Sequence, residues 1–498
     1  MFYHLSASVG SGKTKAVFDY FHDHLNVGYL FVCPTNELCE EAYRRLLQTL
    51  VDRPAYSSGN NLRLINGDNV DGLVFPTALE ACRQYDPSTP PILIITRPTL
   101  LFLCETLSDH EKVNFEVFID EGMTPIEQIQ FAPSDKQPFL ERFLIGKRGL
   151  TTAASGQREI LEIVARDPRG MNARGLGELA VPEFREICRW VVSENYDAFV
   201  FEGGREIEAI GVLAPRKLQR FRNVTMIVAA FDLTLLPRLW ESLYGVRFEA
   251  WPHAKGLFDT HTEKGPYITL HYLLHPDDLP SKQNLHRNAE TGEPDERDPR
   301  LRVVYALAKQ VNAMFPDGSF CWAANNPFMN EDEVLEGRRM PTMSAGLDEF
   351  RRFDNVVSLV AINPKPWVQR AIKEVFALEG DEVFELWRFG PTYQTIGRCS
   401  LRDRESHRPI NVVVLSRQCA ERLQGLFVGA QIAGQCTNMT RLSHGNAAGR
   451  PASGHGGMRY TSADNTAYSK YRARSARNGV EALTKELWFE DIRRERLH

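Results

Sequence analysis

The 498-residue chain lacks any apolar run near the roughly 18 residues a membrane-crossing helix needs, which excludes a helical integral membrane protein. It also lacks a cysteine pairing pattern. The nine cysteines are scattered, odd in number and form no C-x-x-C pair, so a disulfide framework or zinc ribbon is excluded and free thiols in a reducing compartment are expected. The 13 histidines include no H-E-x-x-H or other metal spacing. Positive charge is not in excess: 59 Lys+Arg against 64 Asp+Glu give a net charge of −5, so any nucleic-acid surface must be local. No repeat of the solenoid kind occurs. What is present, 43% hydrophobic and 25% charged residues, belongs to an ordinary globular chain. A glycine-rich pattern begins so early that it leaves no room for a signal peptide, and a cytoplasmic protein is expected.

Apolar runs and helical periodicities alternate along the chain. Phe2–Ser8, Gly28–Cys33, Pro91–Thr96 and Phe115–Asp120 read as buried parallel strands between helices. This predicts an α/β fold with a first domain over 1–275. An insertion over about 132–222 breaks the rhythm and reads as several helices with two strand-like pieces. A polar, charged linker is expected over 276–299, and a second α/β unit over 300–440. Residues 441–498 read as a flexible basic tail, with aromatics among its cations, ending in an amphipathic helix. That helix suits docking on its own chain or on a protein partner better than on a membrane.

Chemistry concentrates first at A-S-V-G-S-G-K-T, residues 7–14, which fits the Walker A pattern except that Ala7 replaces its first glycine. Small residues let the backbone N–H groups of Ser8, Val9, Gly10, Ser11 and Gly12 turn onto phosphate oxygens. Lys13 would reach the β and γ phosphates, and Thr14 would hold Mg²⁺. The second half of such a site is an acid at the end of a buried strand. Phe115–Glu121 supplies Asp120 for the metal and Glu121 to polarise the attacking water. ATP and Mg²⁺ are the expected cofactors. Arg216, Lys217, Arg220 and Arg222 form a basic cluster that reads either as a nucleic-acid channel wall or as a solvated face.

In order along the chain, these and later motifs resemble the superfamily 2 helicases and translocases, DExH-like motors with two tandem RecA-like P-loop domains. Ala7–Thr14 resembles motif I, and Cys33-Pro34-Thr35 with Leu38 resembles motif Ia. Thr96-Arg97-Pro98-Thr99-Leu100 is similar to motif Ib, and Asp120-Glu121-Gly122-Met123 to motif II. Ala229–Asp232 stands in for motif III without its usual Ser-Ala-Thr. Ser344-Ala345-Gly346-Leu347-Asp348 is similar to motif V, and Gln394–Arg398 with Arg402 to motif VI. The resemblance implies that Gly346 and Asp348 contribute to nucleotide binding. It implies that Pro34, Thr35, Thr96, Thr99 and Ser344 touch a strand backbone without reading its sequence. It implies that Gln394 orients the lytic water while Arg398 and Arg402, on one helix face, act as fingers on the γ-phosphate.

Together these imply an ATP hydrolase acting as a nucleic-acid helicase or translocase on single-stranded or duplex substrates. DNA is favoured over RNA because the upstream glutamine motif is missing and motif II does not end in Ala-Asp. The spare layout resembles replication or recombination helicases of phages and mobile elements, which would work in a host cytoplasm. Two other readings stay open: a DNA-packaging type ATPase, and a clamp that binds ATP and nucleic acid without unwinding.

Overall fold

The structure is a computed structural model that describes residues 1–437, apart from 58–60, 71, 132–143, 150–159, 166–181, 202–206, 279, 290–301, 326–333, 342–348, 375, 377 and 379. Runs without a polar face become central strands. β1 (Phe2–Ala7), β2 (Gly28–Cys33), β3 (Leu62–Ile65), β4 (Ile92–Thr96) and β5 (Phe115–Asp120) lie in one parallel sheet. Ile92, Leu93, Ile94 and Ile95 of β4 are all fully buried, because helices cover both faces.

Between β5 and its sheet neighbour, the chain builds a separate antiparallel sheet. It contains β6 (Ile126–Phe131), β7 (Leu144–Gly149), β8 (Ile160–Ala165), β9 (Tyr196–Phe201) and β10 (Ile207–Leu213), in the order β6-β10-β9-β8-β7. Among its described residues the insertion forms five strands and the helix Pro182–Val192, where several helices with two strand-like pieces were expected, and its sheet starts at β6 rather than near 132. β11 (Asn223–Ala229) then returns to the first sheet between β1 and β5, and β12 (Glu249–Ala250) adds its edge. The order becomes β12-β1-β11-β5-β2-β4-β3, which sets the carboxyl ends of β1, β11 and β5 side by side.

The second sheet begins earlier than expected. β13 (Ile268–Tyr272) lies inside the span assigned to the first domain, yet it pairs in parallel with β17 (Ile410–Val414) and β18 (Gln431–Gln435). With β14 (Phe320–Ala324), β15 (Arg338–Arg339) and β16 (Asn355–Leu359), the order is β15-β14-β16-β17-β13-β18. The boundary at 275 is thus moved ahead of β13, whose alternating burial marks it as a sheet strand. The expected linker is also partly structured, with a helical turn at Lys282–Leu285. The result is an α/β protein of two parallel sheets with an inserted antiparallel sheet.

The helices that matter for the site are α1 (Lys13–Asp23), α2 (Asn36–Thr49), α3 (Arg97–Thr106), α4 (Leu235–Tyr244), α5 (Pro366–Glu374), α6 (Gly380–Ile396) and α7 (Arg417–Leu426). α5 joins three modules. Its Trp367, Val368 and Ile372 share one buried cluster with Leu239 of α4 and with Phe199 and Ile210 of the inserted sheet. Among the described residues, no helix is long and apolar enough to cross a membrane.

Candidate nucleotide site

Gly10 and Gly12 have φ of 71° and 91°, so the turn from β1 into α1 uses a backbone region that side chains disfavour. A Cβ at Gly10 would lie 3.0 Å from Cγ of Arg402, and one at Gly12 would lie 2.6 Å from Nη2 of Arg404. The Gly10–Gly12 loop is therefore packed against Arg402 and Arg404, which follow α6. The Ser11 hydroxyl, fully buried in this loop, has no hydrogen-bond partner in the protein. Lys13 Nζ donates to the carbonyl oxygens of Ser8 at 2.9 Å and Ala7 at 3.3 Å.

Opposite Lys13 stand Asp120 and Glu121. Glu121 has a φ of 58° and Ala230 of 51°, the two non-glycine residues with positive φ among those described. They end β5 and β11, beside the loop that follows β1. Strain confined to two neighbouring strand ends is a common mark of a functional turn. The Glu121 N–H donates to the Ile227 carbonyl at 2.9 Å, and Arg97 Nη2 donates to the carbonyls of Asp120 and Glu121, each at 3.3 Å. Gly122, at φ 64°, fits because a Cβ there would lie 2.7 Å from Val228.

Lys13, Thr14, Asp120 and Glu121 line one cavity of about 340 Å³. Burial lowers the Lys13 ammonium to about 8, although the charges of Glu121 and Asp120 pull it back up. Burial, then the neighbouring Glu121 charge, pushes the Asp120 carboxyl above its ordinary range. Arg351 and Arg402 of the second sheet close the same cavity, as does Arg45 of α2. The set suits a polyphosphate: a glycine-rich turn at the start of α1, one ammonium and guanidinium groups. Thr14 and Asp120 also supply the hard oxygen donors that Mg²⁺ prefers, and the Ser11 hydroxyl leaves a buried donor for a phosphate oxygen.

The structure separates the two expected finger arginines. α6 ends at Ile396, and Gly397 abuts Val9 so closely that a Cβ there would lie 2.6 Å from the valine side chain. Arg402 follows in a 3-10 turn and enters the cavity, donating from Nε to the Gly397 carbonyl at 2.8 Å. Arg398 is only 4% exposed and does not line the cavity, so the shared helix face is corrected. Gln394 lies on α6, half-buried and outside the cavity lining.

The expected strand contacts divide as well. Thr35 is exposed and caps α2 by accepting the Leu38 N–H at 3.3 Å, and Pro34 is half-buried beside it. Thr96 is half-buried and shares a 3.1 Å hydrogen bond with Thr99. Thr99 is fully buried, which removes it from any surface. Ser344, Gly346 and Asp348 lie outside the described residues, as does the tail from 441. The basic cluster is neutralised: Arg216 pairs with Asp197 at 2.8 Å, Lys217 with Glu194 at 2.5 Å, Arg220 with Asp109 and Arg222 with Glu116 at 3.7 Å.

Sequence reasoning missed the segment that staples the loop from the other side. Phe258 N–H donates to the Ser11 carbonyl at 2.9 Å, and the Thr260 hydroxyl donates to the Val9 carbonyl at 2.8 Å. Arg404 donates to the same Ser11 carbonyl at 2.9 Å, with its guanidinium 5.2 Å from the Phe258 ring centre. Arg404 lies two residues past Arg402, just beyond that 3-10 turn.

No protein-family model matches the chain, and no curated protein matches it. Among solved structures, it is similar to S. cerevisiae Dbp5 bound to RNA and ADP BeF3, at 9% identity over 87% of this chain and 85% of that one, with a TM-score of 0.35. It is similar to the Mycobacterium smegmatis helicase Lhr bound to ssDNA and AMP-PNP, at 14% identity over 84% of this chain and 44% of that one, with a TM-score of 0.32. A third is the Arterivirus nonstructural protein 10 helicase in complex with DNA, at 11% identity over 86% and 63%, with a TM-score of 0.25.

Proposed function

We propose that the chain is an ATP-dependent nucleic-acid helicase or translocase that hydrolyses ATP between its two sheets. The observation that carries this reading is the shared cavity, into which Lys13, Asp120 and Glu121 of the first sheet and Arg351 and Arg402 of the second converge. A site built from two sheets ties hydrolysis to their relative position, which is what a motor requires. In this reading the loop amides and Lys13 bind the β and γ phosphates, and Glu121 takes the proton of the attacking water. Arg402 stabilises the charge spreading over the γ-phosphate oxygens. Thr14 and Asp120 hold Mg²⁺, which neutralises phosphate charge when bound. Pro34, Thr35 and Thr96 at the strand ends offer backbone contacts, and DNA is favoured over RNA on the motif grounds given above.

The test is ATP turnover with no polynucleotide, single-stranded DNA, duplex DNA and RNA. Stimulation by DNA above RNA supports the reading, and indifference to all three contradicts it.

One observation favours the clamp as second reading. The cluster joining Trp367, Leu239 and Phe199 braces the second sheet against the insertion and α4, which resists wide opening of the cleft. ATP-dependent retention of a strand without unwinding would mark that outcome. The DNA-packaging reading has less support, because the second sheet sends arginines into the nucleotide cavity.

A further inference from the structure

A second cavity, of about 40 Å³, lies in the second sheet at the carboxyl ends of β16 and β17, beneath α6 and the start of α7. It shares no lining residue with the nucleotide cavity. Its size suits one tetrahedral oxyanion or a few waters. The charged groups lining it are Arg388 and Arg422, and no described carboxylate does so. Burial lowers the Arg388 guanidinium to about 10, and its Nε donates to Asn363 Oδ1 at 2.6 Å, which fixes the plane of its fork. Arg422 sits 5.4 Å from the Phe389 ring centre.

Two further features point to a ligand. Ser416 caps α7 by accepting the Cys419 N–H at 3.3 Å, so the cavity meets the positive end of a ten-residue helix. Ser358, at the end of β16, is 1% exposed and lines the cavity, yet its hydroxyl has no hydrogen-bond partner. A buried hydroxyl left unbonded is costly, and natural structures rarely tolerate one without a ligand or water.

We propose that this pocket binds a phosphate-type oxyanion through the Arg388 and Arg422 guanidiniums, the Ser358 hydroxyl and the amino end of α7. A hydroxyl donor, two forks and a helix start form the recurrent chemistry of phosphate capture. The same phosphate chemistry has two sources, a nucleic-acid backbone or free phosphate. The inference does not rest on the proposed helicase activity, since it concerns a site outside the nucleotide cavity.

The test uses the full-length chain carrying Lys13→Ala, which mutes the first phosphate site. Inorganic phosphate binding is measured by calorimetry, and binding of one labelled single-stranded sequence, as DNA and as RNA, by anisotropy. Ser358→Ala and Arg422→Gln are compared in that background, with circular dichroism confirming the fold. Loss of a charge-assisted contact should weaken phosphate about tenfold in each variant. If the oligonucleotides weaken in parallel, the occupant is a strand phosphate. If phosphate alone weakens, the occupant is a free anion. If both folded variants bind phosphate as tightly as their parent, the pocket is not an oxyanion site.

Discussion

The Tyr393 hydroxyl accepts a hydrogen bond from the Val9 N–H at 3.2 Å, so a helix of the second sheet holds the glycine-rich loop of the first. The same hydroxyl lies 2.6 Å from His261 Nε2, in the segment that staples the loop from its other side. Tyr393→Phe keeps the ring and its packing but leaves the Val9 N–H without this acceptor. A loss of about 1–3 kcal/mol is expected from thermal or denaturant unfolding, with a raised KM for ATP. Unchanged stability together with an unchanged KM would show that the contact does not hold the loop.

Gly397 is a second point of contact. Its hypothetical Cβ would lie 2.6 Å from Val9, so Gly397→Ala should cost about 1–3 kcal/mol through overpacking and slow ATP turnover. Val9→Gly in the same chain removes the whole obstructing side chain, Cβ included, and should recover most of the overpacking loss. Equal effects with and without Val9→Gly would place the cause elsewhere.

Burial holds the His261 imidazole below its ordinary 6.5, with Asp259 partly offsetting that shift and Lys13 adding to it. A histidine depressed in the fold takes up a proton on unfolding. Its share of stability is whole above about pH 6.5 and falls as pH drops toward the folded value. The melting temperature of the wild type minus that of His261→Gln should therefore shrink between about pH 8 and pH 5.5. A constant difference would mean that His261 does not titrate on unfolding.

Arg398 is buried outside the cavity, so Arg398→Ala should lower stability while the folded fraction keeps its turnover. Turnover normalised to folded protein is the measurement. A selective loss of hydrolysis at wild-type stability would return the finger role to Arg398.

How far the sequence reveals the molecule depends on the range of the interaction. The loop Ala7–Thr14 and the strand end Asp120-Glu121 were legible because their residues are contiguous and their neighbours apolar. β13 was placed in the wrong domain although its I-T-L-H-Y alternation is a strand signal. Its partners in β17 and β18 lie more than 130 residues away, and only pairing reveals them. The inserted sheet was obscured for the same reason, since antiparallel register is set by partners rather than by local spacing. Gln394–Arg402 reads as one helix in the sequence, but α6 ends at Ile396, where Gly397 closely approaches Val9, and Arg402 rather than Arg398 lines the cavity. Phe258 and Thr260 belong to no motif, so no local pattern singled them out.

The central claim is that one nucleotide site is built by both sheets, and Arg402→Ala tests it most directly. ATP affinity and single-turnover hydrolysis are measured on the same preparation. Affinity should stay within severalfold of wild type while the hydrolysis rate falls on the order of a thousandfold. Arg402→Lys should not restore it, because an ammonium lacks the planar fork. Hydrolysis by Arg402→Ala at the wild-type rate would contradict a site shared between the sheets.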